Sequence, residues 1–173
     1  MLVLVVGPSG AGKDTLIAAA KAQLAGDAHF AFPRRLVTRH AVAALEDHDT
    51  ISWGEFHAGQ FPLSWEAHGL GYALPPSLDV DLAAGRTVVV NVSRRVIPQA
   101  AAKYPGTLVL MIAAAPEVRA RRLASRGRET EADIATRLAR EVEPALDGVR
   151  VVTIDNSGEL ETAVAAFVAG LSR

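Results

Sequence analysis

The chain contains no cysteine. That removes disulfides and thiolate metal centres from consideration, and it fits a reducing compartment. Lysine is scarce too: of 18 basic residues only Lys13, Lys21 and Lys103 are lysines, and the other 15 are arginines. Arginine dominates where planar, bidentate grips on phosphate are wanted. There is no excess of either charge, with a net charge of −1 and an isoelectric point near 6.5, so the composition speaks against a nucleic-acid binder. No apolar run is long enough to cross a bilayer; the longest, Leu108 to Ala115, falls far short of the ~20 residues required. The first residues lead at once into a strand pattern, without the layout of a signal peptide. The expectation is a soluble, cytoplasmic protein with no membrane or nucleic-acid partner. What the chain does have is apolar content: 50% of its 173 residues are hydrophobic, enough for one domain with a proper core.

The most informative stretch is Gly7-Pro8-Ser9-Gly10-Ala11-Gly12-Lys13-Asp14. It follows the apolar run Leu2 to Val6 and precedes an alanine-rich segment that reads as helix from Thr15 to Leu24. Strand, glycine-rich turn and helix form the context of a phosphate-cradling loop. Glycines let successive N–H groups turn inward on an anion, the helix start adds its own donors, and Lys13 supplies a mobile cation for the β- and γ-phosphates. One position departs from the pattern. Where Ser or Thr ordinarily offers a hydroxyl to Mg²⁺, the chain has Asp14. Its carboxylate is either a hard-oxygen Mg²⁺ ligand or a simple complement to the helix N-terminus.

Along the rest of the chain, strand patterns at Arg34 to Thr38, Arg86 to Val92, Thr107 to Ala113 and Arg150 to Ile154 join the first to make five. Helical patterns lie between them: Ser77 to Ala84, Arg94 to Lys103 with Pro98 in its first turn, Pro116 to about Ser125, Glu131 to Glu143, and Gly158 to Leu171 with an apolar face at Leu160, Val164, Phe167, Val168 and Leu171. Continuous apolar strands alternating with helices predict an α/β fold, a five-stranded parallel sheet covered on both faces. Residues 39–76 differ in texture. They hold both tryptophans, a capping box at Ser52 and Glu55 and short strand patterns near Pro62 to Glu66 and Gly71 to Leu74. They read as a small insertion within a single domain spanning residues 1–173. Ligands in such folds sit beyond the carboxyl ends of the strands, which is where the glycine-rich loop, Arg39 and Asn91 fall.

Five arginines lie between residues 119 and 128, and Arg137 and Arg140 follow. Two helices joined by Arg126-Gly127-Arg128 form a lid candidate over about residues 122–138, since guanidinium groups closing on a transferring phosphoryl stabilise its spread charge. Arg126 and Arg137 are the leading candidates and Arg122 a further one. Arg119, Arg121 and Arg140 read instead as a solvated helical face paired with nearby acids.

In this order, the phosphate loop, Thr38-Arg39, the Trp65-to-Tyr72 stretch and the arginine-rich segment resemble the guanylate kinase superfamily of P-loop kinases. The details are closest to its PhnN-type ribose 1,5-bisphosphate phosphokinases. The resemblance rests on Gly7 to Asp14 with its unusual Asp, Leu63-Ser64-Trp65, Gly69-Leu70-Gly71-Tyr72, Val90-Asn91-Val92-Ser93-Arg94, Pro98-Gln99-Ala100, Arg122-Leu123, Arg126 to Glu129 and Thr136 to Arg140. It implies phosphoryl transfer from ATP, with Mg²⁺, to ribose 1,5-bisphosphate, giving 5-phospho-α-D-ribose 1-diphosphate in phosphonate breakdown. On that basis Gly7, Pro8, Ser9, Gly10, Ala11, Gly12, Lys13 and Asp14 hold ATP, and Lys13, Arg122, Arg126 and Arg137 act on the moving phosphoryl. Residues 39–76 take the phosphorylated small-molecule acceptor, through Arg39, Tyr72, Ser64 and Asn91. Asn91 reads equally as a cap of the following helix, and Asn156 as a turn former. Guanylate kinase is the alternative. Against it, the acid that reads guanine in that family is replaced by Ser64, which lacks the charged bidentate acceptor the base wants. A catalytically inactive, kinase-like binding module is a more distant reading. Nothing in the sequence chooses between monomer and homodimer.

Overall fold

The computed structural model describes residues 1–39, 48–125, 146 and 148–172. Its centre is a five-stranded parallel sheet in the order β2-β7-β1-β8-β9. These strands are β1 (Leu2–Val6), β2 (Phe30–Ala31), β7 (Thr87–Asn91), β8 (Leu108–Ala113) and β9 (Arg150–Asp155). A second sheet of four short strands runs in the order β4-β3-β6-β5, built from β3 (Arg35–Val37), β4 (His48–Thr50), β5 (Ser64–Ala67) and β6 (Leu70–Ala73). The helices described are α1 (Lys13–Gln23), α2 (Trp53–Ala58), α3 (Ser77–Ala83), α4 (Ile97–Lys103) after a 3₁₀ turn at Arg94–Val96, α5 (Pro116–Ala124) and α6 (Leu160–Leu171).

The expected five-stranded parallel sheet is present, but one of its strands is not the one expected. The Arg34-to-Thr38 segment forms β3 of the second sheet, and the edge of the main sheet is the two-residue β2. Pro33, lying between them, has no N–H to offer a ladder, so the chain leaves one sheet there before entering the other.

The unbroken apolar strands are explained by two cores, one per face. Leu2, Leu4, Val6, Val88, Val90 and Val109 point to one side, where they meet Leu63, Leu74, Leu78 and Ile97. Val3, Val5, Val89, Leu108, Leu110 and Ile112 point to the other, where Leu16, Ala20, Phe167 and Leu171 cover them. The period-2 alternation therefore has an apolar partner on both sides. On α6 the expected face is shifted: Leu160 is 44% exposed, and Ala163 and Gly170 take buried places instead. Gly170 packs closely there, since a Cβ at that position would lie 3.2 Å from the Leu110 side chain.

The local signals take the expected form. Ser52 and Glu55 make a reciprocal capping box at the start of α2. The Ser52 N–H donates to the Glu55 carboxylate at 2.7 Å and the Glu55 N–H to Ser52 Oγ at 3.1 Å, and the first of these holds the Glu55 carboxyl below its ordinary pKa. Proline stands in the first turn of both α4 and α5, where a missing N–H has no helical partner to lose.

Candidate active site

The glycine-rich loop leaves the carboxyl end of β1, the central strand, and turns directly into α1. Gly7, Gly10 and Gly12 adopt φ values of +149°, +78° and +88°, a region closed to most side chains. No side chain caps α1, so its first N–H groups are left to an anion. Lys13 arches back over the loop and its Nζ donates to the carbonyl oxygens of Gly7 (2.9 Å) and Pro8 (3.1 Å).

The loop is held from behind by residues far away in sequence. Asn156 is 1% exposed, and its Nδ2 donates to the Ala11 carbonyl at 2.7 Å. Its main-chain N–H is tied to Ala113 O at 2.8 Å, so the end of β9 is locked against the end of β8. Arg119, on α5, is 4% exposed and its Nε donates to Ser9 O at 3.1 Å. Within a peptide unit C=O and N–H point in opposite directions. Holding the carbonyls of Ser9 and Ala11 from outside therefore turns the N–H groups of Gly10 and Gly12 the other way, toward the loop interior. Two expectations from the sequence are corrected by these contacts. Arg119 belongs to no solvated face, and Asn156 is more than a turn former. Their contacts span 110 and 145 residues of sequence, beyond the reach of any local pattern. The close approach also explains Gly12, where a Cβ would lie 2.4 Å from Asn156 Nδ2. Removing the amide in Asn156→Ala leaves Ala11 O poorly satisfied in a buried site. We expect a loss of roughly 2 kcal/mol and a melting temperature lower by about 4–8 °C, read by thermal denaturation.

Arg122 also reaches the loop, with Nη1 placed 3.5 Å from Ala11 O. Arg126 and Arg137 lie outside the described residues, as does most of the expected lid. Asp14 and Asn91 are brought together: Asn91 Nδ2 donates to Asp14 Oδ1 at 2.6 Å. Helix capping is left to Ser93, whose Oγ accepts from the Arg95 N–H. Among the described residues no cluster of three or more His, Asp or Glu side chains could hold a metal by itself. The donor set at Asp14 is nonetheless suited to Mg²⁺, which keeps several waters and takes one or two carboxylates alongside substrate phosphates. Asp14 is exposed, and with one oxygen engaged by Asn91 the second is available to such an ion.

The second sheet packs beside the large one, with Leu63, Leu74 and Trp65 in the same core. Its hairpin is joined by His68 and Gly69, both at positive φ (+54° and +71°), as a two-residue type I′ turn requires. That turn sets the register: Trp65 faces Tyr72, and Ser64 faces Ala73. Tyr72 in turn faces Val37, and the Trp65 and Tyr72 rings stack with centroids 5.4 Å apart and planes 6° from parallel. Directly opposed residues share a face, so Trp65, Tyr72 and Val37 lie together. Arg35, two positions before Val37, and its partner His48 share that face. This face meets the main body, because Leu63, Leu74 and Trp65 join the core of the large sheet. Helix α2 covers the other face, with Phe56 2.9 Å from the place of a Cβ on Gly71. Ser64 and Tyr72 are therefore not brought together; Ser64 projects from the α2 side. The His68-Gly69 turn is the sequence signal that could have revealed this.

Arg39 follows β3 and is exposed; its carbonyl accepts from Thr50 Oγ1 at 3.0 Å. His48 is 2% exposed and has its pKa lowered, first by burial and then by the positive charge of Arg39, with Arg35 and Arg34 adding to it. A main-chain contact to Arg39 acts in the opposite sense. Arg34 is engaged by His48 O (2.7 Å) and by Asp49 (3.2 Å). No helix among the described residues is long and apolar enough to cross a membrane.

No protein-family model matches the chain. It is 52% identical over 174 residues to a ribose 1,5-bisphosphate phosphokinase PhnN of Methylobacterium radiotolerans, covering 98% of this chain and 96% of the relative. It is 49% identical over 170 residues to the protein of the same name from Brucella melitensis, covering 96% and 88%. Among solved structures, a guanylate kinase from Anaplasma phagocytophilum superposes with a TM-score of 0.67 at 16% identity, covering 99% of this chain and 84% of that one. The last likeness concerns the fold alone.

Proposed function

Since the chain belongs to the PhnN-type ribose 1,5-bisphosphate phosphokinase family, we propose that it transfers the γ-phosphate of ATP to the 1-phosphate of ribose 1,5-bisphosphate, giving 5-phospho-α-D-ribose 1-diphosphate and ADP. What carries this reading is an identity of 52% maintained over 98% of the chain. Residues 39–76 are the part that takes the acceptor, and about 122–138 the part that closes over the phosphates.

In the reaction an oxygen of the 1-phosphate attacks the γ-phosphorus, and the bond from that phosphorus to the β,γ-bridging oxygen breaks as ADP leaves. The attacking oxygen is ionised at neutral pH, so no general base is required. Catalysis is then positioning and charge neutralisation. The N–H groups from Gly7 to Gly12 and at the start of α1 hold the polyphosphate, and Lys13 follows the β- and γ-phosphates. Mg²⁺, when bound, neutralises charge on those two phosphates; Asp14, oriented by Asn91, would hold it. Arg122, Arg126 and Arg137 neutralise charge on the moving phosphoryl. Arg39 and Tyr72 hold the acceptor's reacting phosphate. Ser64, on the α2 side of its sheet, has no direct part in the transfer.

A coupled assay of ADP release with separate acceptors tests the reading. We expect turnover with ribose 1,5-bisphosphate and none above background with GMP. Turnover with GMP alone would reassign the chain to guanylate kinase chemistry. Failure to bind ATP in calorimetry would point to an inactive binding module.

A further inference from the structure

The proposed acceptor carries a phosphate at each end, and only one of them reacts. Arg39 and Tyr72 account for that one, which leaves a second dianion to be held in the cleft. Multiply charged phosphates are held by positioned guanidinium groups far better than by water-exposed lysines, and the described part of the second sheet has no lysine at all.

Arg35 stands out in that sheet. It is half-buried, and its guanidinium makes no hydrogen bond or ion pair among the described residues. Arg34 beside it is paired with Asp49 and His48 O. A guanidinium withdrawn from water without a counter-charge is costly to the fold, and a ligand anion relieves that cost. Register puts Arg35 on the face that carries Tyr72 and Trp65 and meets the main body. It also sits just beyond the carboxyl end of β2, on the side of the sheet where ligands are expected.

We propose that Arg35 binds the non-reacting 5-phosphate of the acceptor and so selects a sugar bisphosphate over a sugar monophosphate. Arg35 and Arg39 are four positions apart, at most about 14 Å along the chain. That spacing is of the size needed to bracket a ribose with a phosphate at each end. The half-buried position suits the phosphate that stays fixed, and the exposed Arg39 suits the one that must meet the nucleotide. His48, directly across from Arg35, has its pKa lowered by burial first and then by Arg39, with Arg35 and Arg34 adding to it; the smaller, charge-driven part of that shift is the positive potential of this corner. The inference rests on the bisphosphate acceptor proposed above.

The test uses two single-phosphate probes as inhibitors competing with ribose 1,5-bisphosphate. Ribose 5-phosphate carries only the non-reacting phosphate and ribose 1-phosphate only the reacting one. In Arg35→Met, which keeps the bulk of the stem, the inhibition constant of ribose 5-phosphate should rise at least about tenfold, as expected for loss of a charge-assisted contact. That of ribose 1-phosphate and the dissociation constant of ATP should change less than about twofold. Arg35→Lys keeps the charge but loses the planar fork. It should show the same selectivity at about threefold, and it serves if the Met variant does not fold. Equal weakening of both probes, or of neither, overturns the assignment while the acceptor reading stands. If the unmodified protein does not turn over ribose 1,5-bisphosphate at all, the acceptor reading fails first and this inference with it.

Discussion

Lys13→Ala is expected to lower turnover at least about a hundredfold, a barrier increase of about 2.7 kcal/mol, with the melting temperature nearly unchanged. The Nζ lies within hydrogen-bond distance of Gly7 O and Pro8 O, at the mouth of the loop that would hold the polyphosphate. A unit charge about 4 Å from a phosphate oxygen, at an effective dielectric constant near 20, is worth roughly 4 kcal/mol. Much of that is gained only as negative charge moves toward the leaving oxygen, so the loss belongs in kcat more than in KM. The two carbonyls it engages belong to a partly exposed loop, so water replaces the ammonium with little effect on stability. Steady-state ADP release, with circular dichroism as the check on folding, reads both quantities. Turnover within about threefold of the parent would remove Lys13 from the machinery.

Legibility in the sequence follows the range of the interaction. The phosphate loop, the capping box at Ser52 and the prolines in the first turns of α4 and α5 are local devices, and they can be read directly. The five-strand count is right, yet the segment that forms β3 reads as part of the large sheet, because pairing is decided by what lies alongside and not by strand propensity. Arg119 shows the limit on the site. On α5 it is one of several arginines, and nothing in the spacing says that its side of the helix lies against Ser9. Asn156 reads as a turn former through its neighbours Asp155, Ser157 and Gly158, whereas its contact is with Ala11. The pairing of Asp14 with Asn91, separated by 77 positions, follows only once β1 and β7 are known to be adjacent. Ser64 and Tyr72 are a different case: alternation along a hairpin with a two-residue turn puts them on opposite faces, and the turn residues are visible in the sequence.

Close backbone approach at the phosphate loop makes Gly7→Ala the substitution with the largest expected effect on stability. Gly7 has φ +149°, in a region that is essentially reserved for glycine and costs other residues about 1–3 kcal/mol. The clash is worse than the torsion, since the new Cβ would lie 2.3 Å from the Ile112 carbonyl oxygen. That atom cannot swing aside as a side-chain tip could, because it belongs to β8, which is paired with β1 on one side and β9 on the other. Forcing a methyl group into such a place costs about 1–3 kcal/mol more. Together these predict a loss of roughly 4 kcal/mol and a melting temperature lower by about 8–16 °C. Gly106→Ala is the control: its φ is also positive, +80°, but nothing lies within 4 Å of its added Cβ, so only the torsional part should appear. If the two variants melt within about 2 °C of each other, packing of β8 against the loop is not what requires glycine at position 7. A much larger drop for Gly7→Ala, with nucleotide binding lost alongside, would tie the stability of the sheet to the shape of the loop that receives the phosphates.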